Sequence, residues 1–131
     1  RAFGSGSGFL GLPGDFTPPS RFVRATFLQT YSIPQETTFD SAMQAFHILN
    51  NFDVPLGTEF PVGQAPVNMP SATQWTIATD IKNRIVYYHT MYNRTIHSID
   101  LGQIDFANVK FQSYPLDTTK EQTIIPIQIQ K

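Results

Sequence analysis

The sequence contains no cysteine, which excludes disulfides, thiolate metal sites and a thiol nucleophile from these residues and leaves the compartment open. An excess of charge of either sign is missing too. Nine basic residues stand against ten acidic ones, for a net charge of −1, so there is no basic field to hold a nucleic acid and no cationic stripe for an anionic bilayer. Neither partner is expected. No apolar run approaches the roughly 20 residues a spanning helix needs, and no stretch pairs a charged start with an apolar centre as a secretory leader does. The chain starts at Arg1 rather than methionine, so any targeting segment is expected to have been removed or to belong to an upstream part. What is present suffices for a core. Of the 131 residues, 40% are hydrophobic and 13% aromatic, the composition of an ordered chain of single-domain length.

Residues 1–14 hold five of the eight glycines, Gly4, Gly6, Gly8, Gly11 and Gly14, and residues 1–17 read as a glycine-rich loop. Gly6, Gly8 and Gly11 satisfy G-x-G-x-x-G, but no strand precedes them and Pro13 prevents a helix from opening directly behind them, so the dinucleotide reading lacks its context. Pro13-Gly14 is expected to turn the chain, since proline presets φ and glycine accepts the positive φ of a type II turn. A residue before proline is pushed out of the α region. Neither Thr17 nor Pro18 is therefore expected to be helical. The apolar residues Phe22, Val23, Ala25, Phe27 and Leu28 fit a helical face about as well as a buried strand, and the proline start decides for a helix over Arg21–Thr30 that opens at Pro19 or Ser20, with serine suited to the cap. Arg21 then falls in the first turn, where the helix dipole disfavours a cation by about 0.3–1 kcal/mol. A charge set against its local field calls for a reason other than stability. Arg24, three residues on, shares the helical face, and only one of the two need reach a site.

Phe39, Ala42, Met43, Phe46 and Leu49 or Asn50 recur at helical steps, predicting a second helix capped by Thr38 or Asp40 and ended by Pro55 with Gly57. Met43 and Phe46 read as core, and His47, without a partner at ligand spacing, as a hydrogen-bonded interior or surface histidine. Residues 51–72 carry Pro55, Pro61, Pro66 and Pro70 with Gly57 and Gly63. An irregular excursion of that length is expected to border a pocket or a subunit contact. From Thr73 the period becomes two. Residues 73–80, 84–91 and 95–100 predict a three-stranded antiparallel meander with a tight hairpin at Lys82-Asn83. His89 and His97 fall on neighbouring strands, but two histidines without a carboxylate or cysteine set are a poor metal site. Asn93-Arg94-Thr95 matches the three-residue glycosylation pattern. A last strand is expected over residues 123–130, confined by Pro126 to an edge or to contact with another chain and apolar on the face of Ile127 and Ile129. That face requires a cover.

No self-sufficient catalytic set emerges from these residues. No serine stands in a G-x-S-x-G elbow, and the ten carboxylates are scattered along the chain, so no acid/base pair can be named from spacing. Taken alone, the chain is an α+β domain of undetermined role.

Gly11-Leu-Pro-Gly-Asp-Phe-Thr-Pro-Pro-Ser-Arg-Phe-Val-Arg24 resembles the block that opens the C-terminal third of the choloylglycine hydrolase family, the bile salt hydrolases and penicillin V acylases. Phe46-His47-Ile48-Leu49-Asn50-Asn51, Thr73-Gln74-Trp75-Thr76, and Val86-Tyr87-Tyr88 with Ile99-Asp100 agree with it in order. The resemblance implies an α+β chain, two helices followed by a meander, forming the C-terminal portion of a single αββα N-terminal-nucleophile hydrolase domain (1–17 loop, 19–52 helical, 73–131 mainly β). In this family an N-terminal cysteine, with its own α-amino group as base, attacks a linear amide such as a conjugated bile salt or penicillin V. The arginine after the Pro-x-Ser run, Arg21 here, is the family's remaining catalytic residue, and a guanidinium beside a thiol favours thiolate. Arg24 is expected to be structural. The resemblance further implies no cofactor or metal, a small amide substrate, the remaining N-terminal part of the same enzyme as partner, a homo-oligomer (a tetramer) and a bacterial cytoplasmic or periplasmic setting. Because the nucleophile is absent, the chain is expected to be the C-terminal piece of a longer hydrolase; the alternative is a non-catalytic binding or oligomerisation module that keeps part of the fold. Substrate contacts are not assigned, although Phe9, Phe16 and Phe60 are candidates for an apolar acyl pocket.

Overall fold

The junction at residue 72, where the sequence period changes from helical to alternating, also divides the structure. In the computed structural model, residues 7–64, 67, 72–118 and 120–129 are described; Gly4, Gly6, Pro66, Pro70 and Gln130 lie outside them. Contacts group the chain into two units, Arg1–Ala72 and Thr73–Lys131.

The first unit begins with a short 3-10 turn, Ser7–Phe9, followed by α1 (Pro18–Tyr31) and α2 (Thr38–Leu49), and α2 runs on into a 3-10 turn at Asn50–Phe52. The chain reverses earlier than expected. Leu12 N donates to Phe9 O at 3.1 Å and Gly11 takes the positive φ, at 88°, whereas Gly14 does not. Gly11 is the first glycine behind the 3-10 turn, and the left-handed region is open to it without a Cβ penalty. Helix α1 also opens earlier, with extended Thr17 as N-cap (φ −66°, ψ 151°) and Pro18 inside the helix. The bias against α conformation before proline is overcome because both proline nitrogens fall among the first four helical positions, where no intrahelical bond is lost. Ser20 is therefore an interior residue of the first turn rather than the cap. On the other side Phe9 packs edge-on against Phe27 at 5.3 Å, and Phe27 against Tyr31 at 4.6 Å.

Helix α2 is capped by Thr37, neither of the two expected residues. Thr37 Oγ1 accepts from Asp40 N at 3.0 Å and donates to Asp40 Oδ2 at 2.6 Å. This reciprocal cap satisfies an orphan donor and places Asp40 in the first turn, where the dipole favours an anion. Thr37→Ala is expected to lower stability by about 1 kcal/mol while Thr37→Ser stays near wild type, a difference readable as a shift in the urea midpoint. Phe46 is buried as expected, together with Ala42 and Val54, but Phe39 is 68% exposed. Met43 is half-buried and His47 is on the surface.

The second unit is the expected three-stranded antiparallel meander, β1 (Trp75–Asp80), β2 (Ile85–Thr90) and β3 (His97–Asp100), in the order β1-β2-β3. Asp80 faces Ile85 across the end of the ladder, so the hairpin loop is Ile81–Arg84 rather than a two-residue turn. The Asp80 carboxylate accepts from Asn83 N at 2.9 Å and Asn83 Nδ2 at 2.7 Å, and Arg84 closes the loop at φ 60°. The bonds from Asn83 hold the Asp80 carboxyl below its ordinary value. Register sets Thr76 opposite His89, and Tyr88 opposite His97. Since directly paired residues share a face and neighbours along a strand alternate, His89 and His97 lie on opposite faces. No joint site forms between them, and the His97 ring stacks on Tyr88 at 5.2 Å. Trp75, Ile77, Val86, Tyr88 and Ile99 share one face, with Trp75, Ile77 and Ile99 between 43% and 50% exposed.

Beyond β3 a 3-10 turn spans Leu101–Gln103, and the chain then returns to the β2 end: Thr90 Oγ1 donates to Asp117 Oδ1 at 2.7 Å and Arg94 N donates to Gln122 Oε1 at 2.8 Å. The last expected strand is not formed among the described residues. Pro126 supplies no ladder donor, and an extended segment becomes a strand only where it finds a free edge to pair with. Ile124, Ile125, Ile127 and Ile129 are all more than 80% exposed.

Candidate active site

Arg21 lies in the first turn of α1, exposed, at the rim of an open concavity of about 400 Å³. Pro18, Arg21, Phe22 and Ala25 contribute one side of it, and Leu49 with Phe52 the other. The spacing 18, 21, 22, 25 is one helical stripe, so a single face of α1 supplies the cation and the apolar wall. The aromatic residues of this wall are Phe22 and Phe52. Phe9, Phe16 and Phe60, the sequence candidates, do not line it.

Arg24 does not join Arg21 at the concavity. Three residues along a helix leave about 60° between side chains, and here that angle separates a surface position from a buried one. Arg24 is 7% exposed, its Nη1 donates to Pro13 O at 2.7 Å and Asp15 O at 2.8 Å, and its guanidinium sits 5.5 Å from the centre of the Phe52 ring. The expected structural role is observed. Arg24 fastens the segment before α1 to the helix, and Phe52 faces both the buried arginine and the concavity that Arg21 borders.

Asp15 stands at the centre of the α1 N-terminus. Its Oδ2 accepts from Ser20 Oγ at 2.7 Å, and its Oδ1 accepts from Thr17 N at 2.8 Å and from Thr17 Oγ1. These bonds, the one from Ser20 foremost, lower its pKa to about 2. A carboxyl that ionises below its unfolded value, near 4, stabilises the folded chain fully above pH 4, and that contribution is lost as the pH falls toward 2. An NMR titration is expected to place the Asp15 midpoint well below the ordinary aspartate value; a midpoint at or above 4 would contradict the bonding described. Sequence reasoning assigned no role to Asp15. The signal was the spacing Asp15-x-Thr17, in which an aspartate accepts from the backbone two residues on. Phe52 carried no such signal, because it follows the end of the helical period.

Among the described residues no group of three or more His, Asp or Glu is placed to hold a metal ion. His89 is 3% exposed, with Nδ1 3.5 Å from Arg94 Nη1.

The two helices and the antiparallel meander that follows them match a part of the N-terminal-nucleophile hydrolase fold of bile acid hydrolase and penicillin V acylase. The model of the linear amide C–N hydrolases, choloylglycine hydrolase family, matches residues 1–123, and the chain belongs to that family. It is 34% identical over 118 residues to a bile salt hydrolase/transferase of Clostridium perfringens, covering 90% of this chain and 35% of that protein. A second bile salt hydrolase/transferase, from Lactiplantibacillus plantarum, is 32% identical over 115 residues, with 88% and 34% covered. The crystal structure of a point variant of the conjugated bile acid hydrolase from Clostridium perfringens superposes with a TM-score of 0.69 at 32% identity, over 97% of this chain and 37% of that one. Penicillin V acylase from Agrobacterium tumefaciens shares the fold, with a TM-score of 0.56 at 24% identity over 75% of this chain and 30% of that one. The chain thus spans about a third of the length of the curated relatives it matches.

Proposed function

We propose that this chain is a segment of a cysteine N-terminal-nucleophile hydrolase that cleaves linear amides of the conjugated bile salt or penicillin V class, with Arg21 in its active site. The observation that carries the reading is the match of the family model over residues 1–123, in a chain whose Arg21 stands exposed beside an apolar concavity. The nucleophile is supplied from the remaining part of the enzyme. A guanidinium near that thiol favours its ionised form and balances the negative charge that develops on the carbonyl oxygen as the acyl-enzyme forms. Water then releases the acid. Phe22, Phe52 and Leu49 suit the apolar acyl group better than the charged end of the substrate, since Arg21 is the one cation among the described residues of the wall. Assembly of the complete protein into a homo-oligomer, a tetramer, belongs to the same proposal.

The test is turnover of glycocholate, taurocholate and penicillin V by the full-length protein. Cleavage of at least one, with a burst of amine release when acylation outruns hydrolysis of the acyl-enzyme, is the expected result. No turnover of any of the three would favour the non-catalytic module.

A further inference from the structure

We infer that Asp15 is a positioning residue for Arg21, acting through the first turn of α1; this rests on the proposed role of Arg21 in the active site. Of the positions around Arg21 on its helix, 18, 22 and 25 line the concavity with it; three others are 17, one turn before it, 20, beside it, and 24, three residues after it. Every one of the three is tied to Asp15. Thr17, whose carbonyl accepts from Arg21 N at 3.0 Å, is held through its own N–H and hydroxyl by Oδ1. Ser20, buried at 8% exposure, is held through its hydroxyl by Oδ2 at 2.7 Å. Arg24 grips the backbone carbonyl of Asp15 itself at 2.8 Å.

The need for such a tether follows from how α1 begins. Thr17 is the N-cap residue but its side chain makes no capping bond to a backbone N–H of the helix; its hydroxyl bonds instead to the Asp15 carboxylate and lies 3.2 Å from Ser20 Oγ. Pro18 and Pro19 contribute no donors, so the helix start is fixed in position by Asp15 rather than by its own cap. An arginine side chain has four rotatable bonds beyond its Cα, and its guanidinium can be delivered to one place only if the Cα and its direction are held. Asp15 is not among the residues that line the concavity; its contribution is the placement of the backbone from which Arg21 projects.

The test is a double-mutant cycle in the full-length enzyme. Asp15→Ala is expected to lower kcat by about 10- to 100-fold with a smaller change in KM, and to cause no further loss of kcat in an Arg21→Ala background. Thermal midpoints should fall by the same amount in both backgrounds. Ser20→Ala, which removes the bond to Oδ2 and leaves the carboxylate in place, should show the same pattern at smaller size and carries the test if Asp15→Ala does not fold. Equal fractional losses of kcat in the two backgrounds, or an unchanged kcat in either variant, would overturn the positioning role and leave the assignment of Arg21 standing. An Arg21→Ala enzyme that keeps its turnover would overturn the assignment and this inference with it.

Discussion

Replacing Arg21 with alanine in the full-length protein is expected to lower turnover about 100-fold or more, corresponding to roughly 3 kcal/mol of lost transition-state stabilisation, with a smaller change in KM and almost none in thermal midpoint. The structural side of this expectation rests on exposure. Arg21 projects from a surface turn of α1, and its position works against the helix dipole, so its removal should cost the fold little. The chemical side rests on the family match over residues 1–123 and on the apolar concavity that the side chain borders. Arg21→Lys keeps the charge but loses the planar fork that hydrogen-bonds several groups at once, and should also be impaired. Turnover close to wild type in Arg21→Ala would remove this residue from the active site.

Arg24→Ala should behave in the opposite way, losing about 3 kcal/mol of stability. Truncation leaves the Pro13 and Asp15 carbonyls without their donor, each worth on the order of 1–3 kcal/mol when partly buried, and strips the Phe52 ring of its stacked guanidinium. Activity is expected to fall chiefly through the loss of folded protein, and kcat per folded molecule at low temperature, lowered only as far as the lost bond to the Asp15 carbonyl loosens the start of α1, should fall much less than in Arg21→Ala. Arg24→Met restores apolar packing on Phe52 without the hydrogen bonds and should recover a part of the loss. The measurements are denaturant midpoints and turnover for both variants. An Arg24→Ala enzyme that melts like wild type while losing all turnover would reverse the roles of the two arginines.

The contrast between these neighbours shows what each level of description decides. A 3.6-residue period over 39–49 and a two-residue period over 73–100 were enough to place α2 and the three strands, whereas over residues 22–28 the pattern fitted helix and strand alike and the proline start signal decided for α1. Family membership, too, was legible in the motifs around Arg21. Boundaries were not. Pro18 entered α1 and Thr37 capped α2 because hydrogen-bond partners were available there, Asp15 at one end and Asp40 at the other, and propensity is blind to such partners.

Tertiary structure alone decided which arginine is buried. Spacing put Arg21 and Arg24 on one broad face; packing divided that face, turning Arg24 toward two backbone carbonyls and Phe52 and leaving Arg21 at the rim. It also replaced the expected aromatic lining, since Phe22 and Phe52 meet only when the end of α2 approaches α1, and it left residues 123–129 without a strand because pairing requires a partner edge. Composition and period are properties of a chain read along its length, and they determined the elements and the family. Which side chain meets which atom depends on contacts between residues far apart in sequence, and these exist only once the elements have packed.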